Sequence, residues 1–429
     1  MSKLKFIFCW TFVVSILSGC SKSPEKIVEN IYSFADKGDY DKILRYVVPD
    51  SISDITEADK EKFSNYMSEQ LGTTPLYSSY KLDSIVSENN GKEINFIMKT
   101  TLNDGLSHDE HGILRKTDKG GWKLVLQKSD TDLSNAFSIE DKKVNSKELL
   151  RVIRYAYDMT LSDKGIPQHQ LRAAFYFYDG IMIPKNLERY FTLVSEAAKN
   201  NYVRAIFELG DAYYYGDGTN KDDKKAFENW QKAADLKYGK AYYSIGEAYA
   251  SGIGVPQDYE KAKEWLEKSI ETNDDGDSYH LLAYMYNKGV FGKSDADKEM
   301  EYLQKATERG NEQSKTLLGA NYVIGDRGVK NVDKGLELIS EAAENGYIEA
   351  SLMLGMLYSS GEFGVSKDMA KAFYFYKKGA DTPLRRKSGD TTEKESKKKC
   401  ILMVAECFKK GLGTTVNNEL YIKYKNMKI

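Results

Sequence analysis

The stretch Leu209-Gly-Asp-Ala-Tyr-Tyr-Tyr-Gly-Asp-Gly218 is followed by Asp222 and by Ala226, Trp230, Ala233 and Ala234, and the pattern returns about every 36 residues to the C-terminus. That period matches two helices and their turns. A unit of this size cannot bury its own apolar face, so successive units must stack.

The repeat holds column by column. Apolar residues fall at Ala173, Leu209, Ile245, Leu282, Leu318, Leu354 and Val404, each followed by a small residue such as Gly210, Gly246, Gly319 or Gly355. Three residues after the small one comes an aromatic (Phe177, Tyr213, Tyr249, Tyr286, Tyr322, Tyr358, Phe408), and three further on a glycine (Gly180, Gly216, Gly252, Gly289, Gly325, Gly361, Gly411). A small residue beside a bulky one lets helices approach closely, and the glycine can end the helix in the left-handed conformation at no steric cost. Asn186, Asp222, Asp258, Asp295, Asn331, Asp368 and Asn417 then stand where the next helix starts, as residues that satisfy orphan N–H groups do. Each unit therefore reads as helix, loop, helix.

The run Ile245 through Gly252, Gly254, Val255 and Asp258 to Lys261-Ala262 resembles the Sel-1-like repeat, a longer-looped relative of the tetratricopeptide repeat. The resemblance implies a right-handed α-solenoid of about seven units over 147–429, usually a non-catalytic adaptor for protein or peptide partners. Three features depart from the pattern. Lys237 stands where Gly, Asn or Asp is usual, Gly335 replaces an Ala, and a polar, basic insertion at 381–399 interrupts the sixth unit. The insertion reads as a solvated excursion, with docking to an anionic partner as the rival.

The tetratricopeptide relatives line a concave groove with their first helices. Carried onto this frame, the groove positions are Phe175 and Tyr178, then Arg204, Phe207, Asp211, Tyr214 and Tyr215, then Lys240, Tyr243 and Glu247, and lastly His280 and Tyr284. The chain has 31 tyrosines, of which the aromatic column takes five. Tyrosines interleaved with charges suit an adaptable binding surface, although some would serve packing between units.

The N-terminus differs from the array. Lys3 and Lys5 precede an apolar run from Phe6 to Leu17, and Leu17-Ser-Gly-Cys20 closes it. That layout is a secretory signal over 1–19, too short for a membrane span. It resembles a bacterial lipoprotein signal, which implies an acylated Cys20, a membrane anchor in the cell envelope and, with Ser21 following, outer-membrane delivery. Residues 22–130 read as a compact α+β domain. Helices at Ile27 to Phe34 and Tyr40 to Val48 precede strands at Lys92 to Leu102, Ser107 to Lys116 and Trp122 to Leu126, with turns at Asn103-Asp-Gly105 and at 118–121. The order and the closing Gly-Gly-Trp-Lys-Leu-Val look like small lipoprotein-borne domains of the nuclear-transport-factor-2-like superfamily. Residues 131–146 are polar and unpatterned, as a linker would be.

Chemistry is harder to find. A formal charge of -2 argues against a nucleic-acid binder. His108 and His111 lie three apart on an expected strand, where side chains alternate, so they do not form a metal pair. Cys400 and Cys407 are seven apart on one helix, roughly 10 Å, too far for a disulfide within it. No nucleophile with its base and no phosphate loop is visible, and the Gly-x-Gly of the repeats is turn chemistry. No cofactor, metal or catalytic residue is expected. The expected function is a lipid-anchored, non-catalytic scaffold. A ligand-binding or enzymatic N-terminal domain and glycan recognition by the array both stay open in the sequence.

Overall fold

The computed structural model describes residues 23–47, 55–71, 77–88, 93–102, 107–116, 122–124, 149–325, 328–384 and 391–427. The signal, Cys20 and the expected linker lie outside them. The chain divides into two units, one reaching Leu209 and including Asp217–Asn220, the other comprising Gly210–Gly216 and everything from Lys221.

The first unit opens with α1 (Pro24–Asp36), α2 (Asp41–Val47) and α3 (Glu57–Leu71). Pro24 sits at the first helical position and Ser23 caps it by accepting from the Lys26 N–H. An antiparallel sheet follows in the order β1 (Tyr77–Glu88), β2 (Glu93–Leu102), β3 (Ser107–Lys116) and β4 (Trp122–Leu124). Then come α4 (Leu149–Asp163), α5 (Pro167–Asp179), α6 (Leu187–Lys199) and the start of α7 (Val203–Tyr215).

Ile27, Val28 and Ile31 of α1, Ile43 and Leu44 of α2, and Phe63 and Met67 of α3 share one core with Met98, Leu114 and the α4 residues Val152, Ile153 and Ala156. Full burial of each large side chain contributes about 1.5–3 kcal/mol. Two polar links tie α3 to the end of α4 and the residue after it. The Tyr66 hydroxyl donates to Asp163 at 2.9 Å, and the Lys164 ammonium lies 3.0 Å from the Asp59 carboxylate. The N-terminal helices and the first helix after the expected linker are thus one packed body.

The second unit holds α8 (Asp223–Asp235), α9 (Lys240–Ser251), α10 (Tyr259–Asn273), α11 (Gly276–Lys288), α12 (Ala296–Glu308), α13 (Glu312–Ile324), α14 (Val332–Glu344), α15 (Ile348–Ser360), α16 (Met369–Asp381), α17 (Thr391–Lys410) and α18 (Asn418–Lys425). From Phe177 onward each aromatic of the repeat column accepts, at its backbone carbonyl, the N–H of the next cap residue. The distances run from 2.8 Å for Asn186 on Phe177 to 3.1 Å for Asp295 on Tyr286. The intervening glycine is left-handed in every unit, with φ from 66° at Gly289 to 78° at Gly325. Each capping Asn or Asp side chain accepts from an N–H in the first turn of its helix, for example Lys225 N on Asp222 at 3.0 Å.

The small column is filled differently from the sequence expectation. A Cβ on Gly210 would meet Trp230 Cδ1 at 2.6 Å, one on Gly246 would meet Leu266 Cδ2 at 2.8 Å, and one on Gly319 would meet Ile339 Cγ1 at 2.7 Å. The knob comes from the second helix of the same unit. The aromatic column instead receives a lysine from that helix: Lys225 over Tyr213 at 5.1 Å, Lys261 over Tyr249 at 5.4 Å, Lys298 over Tyr286 at 4.6 Å and Lys334 over Tyr322 at 4.6 Å.

The second glycine of Gly-x-Gly joins one unit to the one before. A Cβ on Gly254 would fall on the Asp223 carbonyl, and one on Gly413 on the Met369 carbonyl. In the first unit, Gly218 stands the same way against the Leu187 carbonyl.

The insertion expected as an excursion is helical from Thr391, because its Glu- and Lys-rich half holds neither Gly nor Pro and simply lengthens α17. Glu393 and Ser396 are buried there. Residues 385–390 of the insertion lie outside the described set.

Candidate binding face of the first helices

In the second unit, α9, α11, α13 and α15 are first helices, and the C-terminal half of α7 precedes them. Asp211, Tyr214 and Tyr215 come from α7, Lys240, Tyr243 and Glu247 from α9, and His280 and Tyr284 from α11. Asp211 is buried and accepts from the Trp230 indole N–H at 2.9 Å. Tyr214 packs on Trp230 with centroids 5.5 Å apart and on Tyr215 at 4.8 Å, beneath the Lys221 ammonium at 4.9 Å. Those rings are part packing and part surface.

The electrostatics converge on Glu247. Burial, and then the carboxylates of Asp211 and Asp277, push its carboxyl up to about 7. Burial pushes the neighbouring Tyr243 hydroxyl well above its ordinary value, with Glu247 and Asp277 adding to the effect. His280 lies 2.7 Å from the Ser314 hydroxyl, and burial brings its imidazole down to about 4. Its imidazole is therefore neutral near pH 7. Lys240 is exposed, and Tyr284 is 53% exposed beneath Lys288 at 5.5 Å.

In the first unit, Phe175 and Tyr178 form a ring cluster with Tyr190, with centroids 4.9–6.5 Å apart. Tyr178 and Phe207 are each only 9% exposed, and Arg204 is half-buried. Tyr190 of the second helix fills the space between the Phe175 and Tyr178 rings, so these two serve packing as well as presentation.

Further along the second unit lies a site the sequence reading did not name. A cleft of about 530 Å³ opens between α13 and α15, with Val323, Leu352 and Met353 in its wall and Ile324, Met356 and Phe363 at its mouth. Those three are 47%, 57% and 43% exposed. Phe363 adopts φ 57°, a left-handed conformation strained for a bulky residue. The signal was present in the sequence. The column that gives Asp211, Glu247 and Tyr284 continues to Ala320 and Met356, and α15 carries Leu352, Met353, Leu354, Met356 and Leu357 within six residues, more than one helical stripe holds. His108 and His111 both lie on β3, and no group of metal-binding side chains occurs among the described residues. Cys400 and Cys407 are free and buried, with the Cys400 thiol pushed up to about 12 by burial, so both are inert core residues.

The Sel1 repeat family matches this chain six times, at residues 168–202, 203–238, 239–274, 276–311, 314–347 and 348–381. Residues 168 to 381 are therefore a run of six all-helical Sel1 repeats. The seventh unit expected from sequence lies beyond that match, although Gly411 and Asn417 keep the left-handed turn and the cap.

Among solved structures, a Sel1 repeat protein from Oxalobacter formigenes is 24% identical with a TM-score of 0.49, over 59% of this chain and 100% of that one. The c5321 protective antigen of uropathogenic Escherichia coli strains, described as displaying an SLR fold, is 21% identical with a TM-score of 0.43, over 70% of this chain and 63% of that one. Immunity protein Pa5087 from Pseudomonas aeruginosa is 21% identical with a TM-score of 0.37, over 52% and 79%. No curated protein matches. The repeat assignment rests on the family match and the recurring geometry.

Proposed function

We propose that this chain is a non-catalytic scaffold that holds a protein partner on the first helices of its Sel1 repeats. The observation that carries the reading is the open cleft between α13 and α15, where Ile324, Met356 and Phe363 stand exposed together at one mouth. Clustered exposed apolar side chains on an otherwise charged surface mark interaction sites.

The same proposal includes the address. Cys20 is acylated after signal cleavage and confines the scaffold to a bacterial envelope membrane, with residues 22–130 as an α+β domain of the nuclear-transport-factor-2-like kind nearest the anchor. Confinement raises the effective concentration of partner and scaffold without any new contact.

Photo-crosslinkers placed in cells at positions 284 and 356 on first helices, and at 264 on a second helix, test the reading. One protein crosslinked from both first-helix positions and not from 264 supports it, and crosslinking from 264 alone overturns it. Palmitate labelling and membrane fractionation of Cys20→Ala test the anchor. Labelling that persists in that variant overturns it.

A further inference from the structure

The turn between α17 and α18 departs from the chemistry of the turns before it. Directly ahead of the successive caps stand Lys185, Lys221, Gln257, Ser294, Lys330 and Lys367, all polar, and then Val416. Val416 is 61% exposed, more than any other large apolar side chain among the described residues, and Leu412 in the same turn is 38% exposed. Ile422 departs in a second way. It stands five residues after its cap, where Phe227 packs on Tyr249 and Phe373 on Phe408 of the following unit, yet it is 54% exposed. Exposed apolar side chains gathered about one turn mark an interaction surface.

The charges around them are mostly of one sign. Residues 391–429 hold nine lysines and no arginine against four acidic residues, in a chain whose formal charge is -2. Lys409 near the end of α17 and Lys425 at the end of α18 both lie over the Tyr421 ring, at 5.5 and 5.6 Å, so the two helices bring their cations together beside the turn. Glu406 is shared by Lys409 at 3.9 Å and Lys410 at 2.9 Å, and one carboxylate cannot neutralise two ammonium groups. Lys423 and Lys425 are exposed and form no ion pair among the described residues.

We propose that the α17–α18 turn is a membrane-contact surface, with Leu412, Val416 and Ile422 entering the interfacial layer of an anionic bilayer while Lys409, Lys410, Lys423 and Lys425 meet its lipid phosphates. Protruding apolar side chains need no pocket in a bilayer, whereas a protein partner would have to supply one. Lysine likewise suits a diffuse anionic surface. Protein interfaces favour arginine, whose planar fork holds a carboxylate, and are poor in lysine. A second copy presenting the same turn would set lysine against lysine. The surface shares no residue with the α13–α15 cleft and needs no acyl chain at Cys20, so it stands or falls separately from the scaffold and the anchor.

The test uses the chain from Ser21 to Ile429, which keeps every described residue and lacks both the apolar run from Phe6 to Leu17 and Cys20. It is floated with vesicles of phosphatidylcholine alone, or with about one phosphatidylglycerol in three lipids. Binding to the anionic vesicles is expected to be about tenfold or more tighter than to the neutral ones, and to weaken as salt is raised. Lys409→Gln, Lys423→Gln and Lys425→Gln together are expected to weaken it about tenfold or more, and Leu412→Ser with Val416→Ser to weaken it several-fold. Lys199→Gln, Lys224→Gln and Lys232→Gln together remove as much charge from exposed positions elsewhere and are expected to leave binding near that of the parent chain. Melting curves without vesicles establish that each variant is folded.

Equal binding to both kinds of vesicle, binding unchanged by Leu412→Ser with Val416→Ser, or a control triple variant as weak as the first would reduce the effect to general adsorption and overturn the proposal. Absence of vesicle binding overturns it too. If a fluorescent polyglutamate peptide is then bound and is lost in the Lys409, Lys423 and Lys425 variant, an acidic protein segment takes the place of the bilayer.

Discussion

Trp230 on a second helix donates its indole N–H to the carboxylate of Asp211 on a first helix, across 2.9 Å of protein interior. The same ring fills the hole above Gly210, so one side chain sets both the spacing of the pair and the position of the Asp211 carboxylate. Trp230→Phe keeps much of the packing and removes the donor to a charged group. A loss of about 1.5–3 kcal/mol is expected, read as a lower midpoint in urea. A midpoint shift of only a few tenths would show that the hydrogen bond contributes little.

Lys237 offers the opposite test. Its φ is 63°, at a turn where Gly310 and Gly346 hold 76° and 85° in later units. A left-handed conformation costs an L-residue roughly 1–2 kcal/mol, and glycine avoids most of it. Lys237→Gly is expected to raise thermal stability, and an unchanged or lower melting temperature would refute the strain argument.

The pH dependence of stability follows from two groups that act in opposite senses. Glu247 keeps its proton to about 7 when folded and loses it near 4.5 when unfolded. Across that interval the unfolded chain binds fewer protons, so stability falls as pH rises and is level above about 7. His280 refuses a proton down to about 4 when folded and takes one near 6.5 when unfolded. Its contribution is present above 6.5 and is lost as pH drops towards 4. Between 4.5 and 6.5 the slopes oppose each other. Glu247→Gln should expose the histidine slope and gain up to about 3.4 kcal/mol at pH 8, from 2.5 units at about 1.36 kcal/mol each. Melting curves across pH for both proteins check this, and parallel profiles would rule it out.

Phe363→Gly separates stability from binding. Removing a left-handed aromatic is expected to stabilise the fold by about 1 kcal/mol while the cleft loses part of its mouth. Stabilisation measured by thermal melting, alongside weaker binding, is the expected pair. A destabilised variant would mean that Phe363 serves packing.

The array was legible in the sequence because its turns are. Gly252 and Asp258 each have one physical task, a left-handed φ and an N-terminal cap, and only a few residue types perform either. The N-terminal segment was less legible. In α3, Phe63 and Met67 bury against the core amid charges, leaving too few apolar positions to mark a period. In β1, a register shift between Leu82 and Ser84 breaks the alternation by which a strand is recognised. The positions carried over from relatives fall on first helices, but how far each is buried depends on its second-helix partner. Tyr190 closes over Tyr178, whereas Met356 has no such cover and stands open to solvent.

The second glycines are unevenly employed. Gly254 and Gly413 press against the carbonyl of a preceding unit, whereas a side chain added at Gly292 or Gly328 would meet nothing within 4 Å. Beside the cleft, a Cβ on Gly364 would meet only the Val332 side chain of the preceding unit, at 3.5 Å. Backbone-to-backbone crowding therefore marks the turns at the two ends of the second unit, and the turns around the cleft keep room that those end turns lack.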